Sequence, residues 1–341
     1  MLIDGWNIMI AQNAVANIVD YNSNPIGMYL TTLNQIRNFI NLYKPTRVFF
    51  ILDGPNAGER RRKIHPDYKN KRRVTGRKSS IIFKDEESDE DTISYEVEGA
   101  FEYQFAKIYE FLQKLPITVC IIPYCEADEV IAYIAKKNKK EFDSIIVSTD
   151  QDYLQLIDEN IYVYSWKKKV LYGIENFKES YEITPINYIY RKIILGDKRD
   201  NIKGTKEQGK KTIGEKTFKE IFSSLKENDL NEIGDFFNYI DNYDLNAIPK
   251  KHHKHIEFLK ENKKELLKNF HLMKLDEDYL KLQHINLLRE QVIEQQKKIL
   301  SKFTVKMLMK KESFNKLSNG NFNPDYWLQP FVFLKGKEIN L

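Results

Sequence analysis

Cysteine is nearly absent from this 341-residue sequence. Only Cys120 and Cys125 occur, with no Cys or His neighbours at zinc spacing. A disulfide scaffold and a thiolate metal centre are therefore disfavoured, and two reduced, buried thiols in a cytoplasmic protein are expected. Long apolar runs are missing too, so no segment reads as a bilayer-spanning helix. The opening "MLIDGWNIMI" has no basic region and carries Asp4 at once, which argues against a secretory signal. No internal repeat is visible. A chain of this length can bury a substantial core, as one large domain or as a domain with an appendage.

What is present is unevenly spread charge. The net charge of +5 decides little, but residues 60–78, "RRRKIHPDYKNKRRVTGRK", hold ten Lys/Arg against one Asp. Residues 84–91, "KDEESDED", then reverse the sign. Such runs are either solvated faces or binding segments. A third cluster, "KHHKH" at 251–255, reads as a solvated patch rather than a metal site because of its basic, helix-flanking context.

The first 165 residues alternate strand-like and helical patterns. "MLI", "RVFFIL", "ITVCII", "SIIVS" and "IYVY" are rich in β-branched and aromatic residues. Between them, 28–43 places Leu30, Leu33, Ile36 and Ile40 on one helical face, and 95–115 does the same with Val97, Phe101, Phe105, Ile108 and Leu112. This alternation predicts an α/β fold with a mainly parallel central sheet flanked by helices. Residues 54–94 fit neither pattern and read as a long excursion, partly helical or mobile. Helical segments dominate from about 185, and the tail "NPDYWLQPFVFLKGKEINL" reads as strand-like or extended. The domains expected are a core over 1–185, a second region over 186–275 and an extension over 276–341.

The chemistry lies in five acidic stations that follow apolar segments. Asp4 follows "MLI", and Asp53 follows "VFFIL". Glu126 and Asp128 follow "VCIIPY", Asp150 and Asp152 follow "SIIVST", and Asp197 and Asp200 follow "YIYRKIIL". One such Asp is explained by helix capping. In a parallel sheet, however, the carboxyl ends of the strands share one edge, where ligands bind. Two carboxylates about 4 Å apart repel by roughly 4 kcal/mol at an effective dielectric of 20. Six to eight gathered acids would thus require bound cations or would hold their protons. Oxygen ligands without His or Cys select Mg²⁺ or Mn²⁺ over zinc. A pair of such ions suits displacement at phosphorus.

The stretches "LIDGWN", "ILDGPN", "PDYKNKRR", "CEADEVIAYIA", "STDQDYLQL" and "ILGDKRDNIKG" resemble the structure-specific 5′-nuclease family: flap endonucleases, 5′→3′ exonuclease domains of bacterial polymerases, and phage ribonuclease H or 5′-exonuclease enzymes. Size and the Lys/Asn/Ile-rich composition bring the sequence nearest to the phage members. The resemblance covers residues 2 to about 220 and implies a PIN-like fold with a helical arch, a helix–hairpin–helix region and a C-terminal extension. It implies one metal group of Asp4, Asp53, Glu126 and Asp128, and a second of Asp150, Asp152 and Asp200 with Asp197 nearby. Tyr68 would stack on a base, Lys69 and Arg72 would meet the scissile region, and Lys71 and Arg73 would help guide the strand. "IGEKTFKEI" matches the end of a duplex-binding hairpin, with Gly214, Lys216 and Thr217 facing phosphate. Gly204 and Gly214 are ten residues apart, about twice the family spacing, which leaves an associated K⁺ site in question.

The function implied is Mg²⁺-dependent hydrolysis at 5′ ends or flaps of branched or nicked DNA, including RNA primers during replication, with Mn²⁺ as a substitute. A PIN-like single-strand ribonuclease and a non-catalytic DNA-structure-binding module remain as alternatives. The aromatic tail either packs on the body or docks to a sliding clamp or single-strand-binding protein.

Overall fold

The computed structural model describes residues 1–13, 18–20, 22–70, 80–83, 93–96, 99–205, 213–296, 300–318 and 322–334. The fold is α/β, with mainly parallel strands flanked by helices. It divides into two compact units. The first comprises Met1–Asp53, Val74–Ile122 and Lys281–Leu341, and the second Gly54–Arg73 and Pro123–Leu280. No described helix is long and apolar enough to cross a membrane.

The strands of the first unit are β1 (Leu2–Asp4), β2 (Phe49–Asp53), β3 (Ser80–Phe83), β4 (Ile93–Glu96) and β5 (Thr118–Ile122). β2 pairs in parallel with β1 on one side and β5 on the other. Leu2, Ile3, Phe49, Phe50, Ile51, Leu52, Cys120 and Ile122 are all buried. Such continuous burial is why these strands read as unbroken apolar runs rather than alternating ones. Gly5 lets the chain pass directly from β1 into the helix Gly5–Asn13, because a Cβ there would lie 2.6 Å from the Phe50 ring and 2.7 Å from Leu52. The helix Gly27–Tyr43 buries Leu30, Leu33, Ile36 and Ile40 as its spacing predicted. It stops where Lys44 turns left-handed (φ 44°) and donates its N–H to the Ile40 carbonyl. At the outer edge of β5, the Gln291 side chain accepts the Ile121 N–H (3.1 Å) and donates to the Ile121 carbonyl (2.9 Å). The helix Leu282–Gln296 thus satisfies an edge that would otherwise be open to strand pairing.

The second unit holds β6 (Ser144–Val147), β7 (Ile161–Ser165) and β8 (Val170–Tyr172). β6 and β7 are parallel, while β8 returns antiparallel to β7. The helix Ala127–Asn138 buries Val130, Ile131 and Ile134. Further along, Tyr188–Leu195, Glu215–Ile221, Ile233–Asp241, His253–Glu261 and Lys263–Met273 are helical. Their core is aromatic: Tyr190 stacks on Phe236 at 4.5 Å, and Phe218 lies 4.9 Å from Phe222.

Three expectations are corrected. Part of the 54–94 excursion is strand, since β3 pairs antiparallel with β4; the helix in it is Glu59–Ile64. The tail segment is a helix, Pro324–Val332, not extended. The Asn323 side chain accepts the N–H groups of Asp325 and Tyr326, proline occupies the first turn, and Trp327, Leu328 and Phe331 are buried on one face. It packs on the first unit, where the Trp327 carbonyl accepts Arg37 Nε at 3.1 Å. "KHHKH" is not a solvated patch throughout: His252 and His255 are buried, and His252 Nε2 meets Glu220 Oε2 at 2.6 Å. Both cysteines are buried thiols, as expected, and burial pushes Cys125 up to about 12.

Candidate functional site

In the first unit Asp4 and Asp53 stand at the carboxyl ends of adjacent parallel strands, with Asp4 opposite Ile51 and Asp53 opposite Ile122. Asp4 Oδ1 accepts the Asn7 N–H at 3.2 Å, the capping role that any single acid at such a junction can take.

The second unit contains two carboxylate groups, each organised by a cation. In one, Glu126 precedes the helix Ala127–Asn138, and its N–H donates to Glu129 Oε2 at 3.0 Å. Arg61, only 2% exposed, donates from Nη1 to Glu126 Oε2 (2.6 Å), Asp128 Oδ2 (2.8 Å) and the Tyr68 hydroxyl (3.1 Å). Lys69 Nζ meets Glu126 Oε1 at 2.5 Å. The Tyr68 hydroxyl donates to Asp200 Oδ2 at 3.3 Å, and the Lys69 N–H donates to the Asp200 carbonyl at 3.1 Å. Lys69 adopts a left-handed backbone (φ 55°), which a bulky residue keeps only where its surroundings enforce it. Burial drives Glu126 up, but Arg61 and then Lys69 overcome it and hold the carboxyl at about 2. Burial pulls the Arg61 guanidinium down, and Asp128 and Glu126 reverse that to leave it well above its usual range.

The other group surrounds Lys192, buried on the helix Tyr188–Leu195. Its ammonium lies 2.7 Å from Asp152 Oδ1 and 2.7 Å from Asp197 Oδ2. Asp150 Oδ1 accepts the Asp152 N–H at 3.0 Å and so caps the 3-10 turn Gln151–Leu156, which leaves the Asp152 carboxylate to Lys192. Burial and then the neighbouring Asp150 push Asp152 up to about 6, against the pull of Lys192. Asp197 is held below its usual range: burial raises it, but Lys192 and the N–H groups of Arg199 and Asp200 lower it further. The loop that carries Asp197 and Asp200 depends on two glycines. Gly196 has φ +76°, and a Cβ there would sit 2.2 Å from the Gly204 nitrogen; one on Gly204 would sit 2.2 Å from the Leu195 carbonyl. That back-to-back approach explains the spacing of "GDKRDNIKG".

The structure therefore gathers Glu126, Asp128 and Asp200 around Arg61, Tyr68 and Lys69, and gathers Asp150, Asp152 and Asp197 around Lys192. Tyr68, expected to stack on a base, is 2% exposed in this structure, and its hydroxyl reaches Glu126 and Asp200. Lys71, Arg72 and Arg73 lie outside the described residues. Gly214 caps the short helix Glu215–Ile221 with Gly214 and Lys216 exposed and Thr217 half-buried; residues 206–212, where the hairpin is expected, are likewise outside. Sequence reading missed Arg61, Glu129 and Lys192 as members of the network. Arg61 was hidden inside a basic run, and Lys192 sits five residues before Asp197 inside an apolar helix.

Among the described residues no three His, Cys, Asp or Glu side chains form a ready-made metal-ligand set. The donor chemistry nonetheless suits hard cations. Seven carboxylates (Glu126, Asp128, Glu129, Asp150, Asp152, Asp197 and Asp200) face four ion-paired cations (Arg60, Arg61, Lys69 and Lys192), a formal excess of three negative charges. Asp128 Oδ1 is buried and accepts no hydrogen bond within the protein. A buried anionic oxygen without a partner costs about 1–3 kcal/mol or more, which a bound cation would remove.

Residues 1–182 match the family described as 5′-3′ exonuclease, N-terminal resolvase-like domain. A 5′-3′ exonuclease of Buchnera aphidicola subsp. Acyrthosiphon pisum is 26% identical over 82% of this chain and 86% of its own. A 5′-3′ exonuclease of Mycoplasmopsis pulmonis is 30% identical over 67% of this chain and 71% of its own. The structure of the bacteriophage T5 D15 flap endonuclease, solved with DNA and metal ions, superposes with a TM-score of 0.58 at 21% identity, covering 92% of this chain and 98% of that one, and shares the fold. The chain belongs to the 5′-3′ exonuclease family.

Proposed function

We propose that the protein is a divalent-metal-dependent, structure-specific 5′-nuclease that hydrolyses phosphodiesters near 5′ ends or flaps of DNA, with Mg²⁺ as the working ion and Mn²⁺ as a substitute. The observation that carries this reading is the excess of carboxylate in the second unit, with Asp152 raised to about 6 beside Asp150 and the Asp128 oxygen unpartnered. Glu126, Asp128, Asp150, Asp152, Asp197 and Asp200 would hold the ions, and Asp4 and Asp53 offer the same oxygen chemistry at their strand ends. When bound, divalent ions supply Lewis acidity and charge neutralisation at phosphorus. The protein's own groups have separate tasks. Arg61 fixes the orientation of Glu126 and Asp128. Lys192 keeps Asp152 and Asp197 from repelling each other apart. Lys69, half-buried with a flexible stem, can turn from Glu126 to a substrate phosphate and neutralise charge that grows on it during displacement.

The phage T5 relative was solved with DNA, and the bacterial relatives are named 5′-3′ exonucleases, which supports DNA as the substrate class. RNA primers at lagging-strand fragments, Gly214, Lys216 and Thr217 as duplex contacts, and K⁺ at the hairpin are finer parts of the same proposal. The test is a 5′-labelled flap substrate incubated with Mg²⁺, Mn²⁺ or chelator, with products sized. Cleavage that depends on the added ion, releasing the 5′ strand, is expected. Cleavage of unstructured RNA in preference to the flap would favour a single-strand ribonuclease, and salt-sensitive binding without turnover would favour a binding module.

A further inference from the structure

The helix Lys302–Lys311 has more apolar surface than its packing uses. Val305, Leu308 and Met309 form its buried stripe in the first unit. Phe303 and Met307, one turn apart on another face, are 76% and 54% exposed. They line a groove of about 540 Å³ together with Lys306, Lys310, Phe322 and Pro324. That size lies within the roughly 300–1,000 Å³ of surface pockets that seat a compact ligand group.

The rim of this groove is positive. Lys306 is paired with Asp325 at 2.6 Å, and the nearby Glu312 is buried and taken up by Lys107 at 2.7 Å. Lys310 lines the groove and Lys302 is the chain neighbour of Phe303; neither has an ion pair among the described residues. We propose that the groove is a docking site for an acidic peptide segment carrying bulky apolar anchors, presented by a partner protein. The anchors would bury against Phe303 and Met307, whose unbranched thioether adapts to varied shapes. The carboxylates would pair with Lys302 and Lys310.

Charge and shape favour this occupant over others. A nucleic-acid strand needs a succession of stacking faces and a cationic track along its backbone, whereas among the described lining residues Phe303 is the one strongly exposed ring. The chain's own last residues, "KGKEINL", carry two lysines against one glutamate and have the wrong sign. The site involves none of the nuclease residues, so it stands or falls separately from them.

Panning the full chain against a displayed random peptide library tests this. The enriched peptides are then synthesised and measured by fluorescence anisotropy. Net-negative peptides with at least two bulky apolar residues are expected. Phe303→Ala and Lys310→Glu should each weaken them about tenfold or more, without changing flap cleavage or the circular dichroism spectrum. Lysine in place of the peptide's acids should restore binding to Lys310→Glu. The proposal is overturned if no such composition is enriched, or if the selected peptides bind both variants as tightly as wild type. It is equally overturned if the substitutions weaken oligothymidylate binding instead, or if a peptide of residues 81–93 of this chain competes best.

Discussion

The two carboxylate groups of the second unit solve the same electrostatic problem with different surpluses. Around Arg61 and Lys69, two cations serve Glu126, Asp128 and Asp200, and Glu126 is held at about 2. Around Lys192 a single ammonium serves Asp152 and Asp197 with Asp150 close by, and Asp152 is pushed up to about 6. The first group is largely self-neutralised. The second is short of cation, and it is where an added divalent ion gains most. Identical residue types thus differ in metal demand because of the cations packed against them, not because of the acids themselves.

The most damaging way to break the comparison is at the cation-poor group. Asp150→Ala/Asp152→Ala should lower flap cleavage on the order of a thousandfold or more, a loss of about 4 kcal/mol in transition-state stabilisation, read by single-turnover kinetics. At the other group, Arg61→Ala leaves Glu126 and Asp128 without their buried partner. It should destabilise the fold by about 3–5 kcal/mol, measured by urea unfolding, with Arg61→Lys recovering part of the loss. Lys192→Met should fall at the low end of the same range, about 3 kcal/mol, and Mg²⁺ should restore more of its melting temperature than it adds to wild type. Equal metal rescue of the Arg61 and Lys192 variants would erase the distinction.

The pH dependence sharpens the same contrast, because the two shifts have opposite signs. Glu126 is depressed from 4.5 to about 2, so its contribution is present above 4.5 and is lost as pH falls toward 2. Asp152 is raised from 3.8 to about 6, so the unfolded chain releases that proton first and stability falls as pH rises from 3.8 to 6. Calorimetry at pH 5.5 in two buffers of different ionisation enthalpy should therefore show proton release on metal binding. The smallest effect belongs to the first unit: Asn323→Ala removes the cap of the tail helix and should cost about 1 kcal/mol, measured by thermal unfolding.

Six of the seven acids around these cations were legible because each lies shortly after an apolar segment, a pattern written in consecutive letters; Glu129 was not. The glycines of "GDKRDNIKG" were legible for the same reason, although only the structure shows Gly196 and Gly204 back to back. Arg61 and Lys192 were not legible. Their roles depend on contacts with Glu126, 65 positions away, and with Asp152, 40 positions away, which no local pattern encodes. Aromatic richness misled the reading of the tail: Trp327 and Phe331 suggested strand, while their four-residue spacing and the Asn323 cap made helix. "KHHKH" misled through composition, since His252 is buried by its bond to Glu220 on another helix.

The most direct measurement is the cleavage rate of a 5′-labelled flap across a Mg²⁺ titration, for wild type and Asp150→Ala/Asp152→Ala. Metal-dependent release of the 5′ strand by wild type, and near-complete loss in the variant at every Mg²⁺ concentration, is the outcome expected from a carboxylate group short of cation. Undiminished cleavage by the variant, or full wild-type activity in chelator, would contradict it.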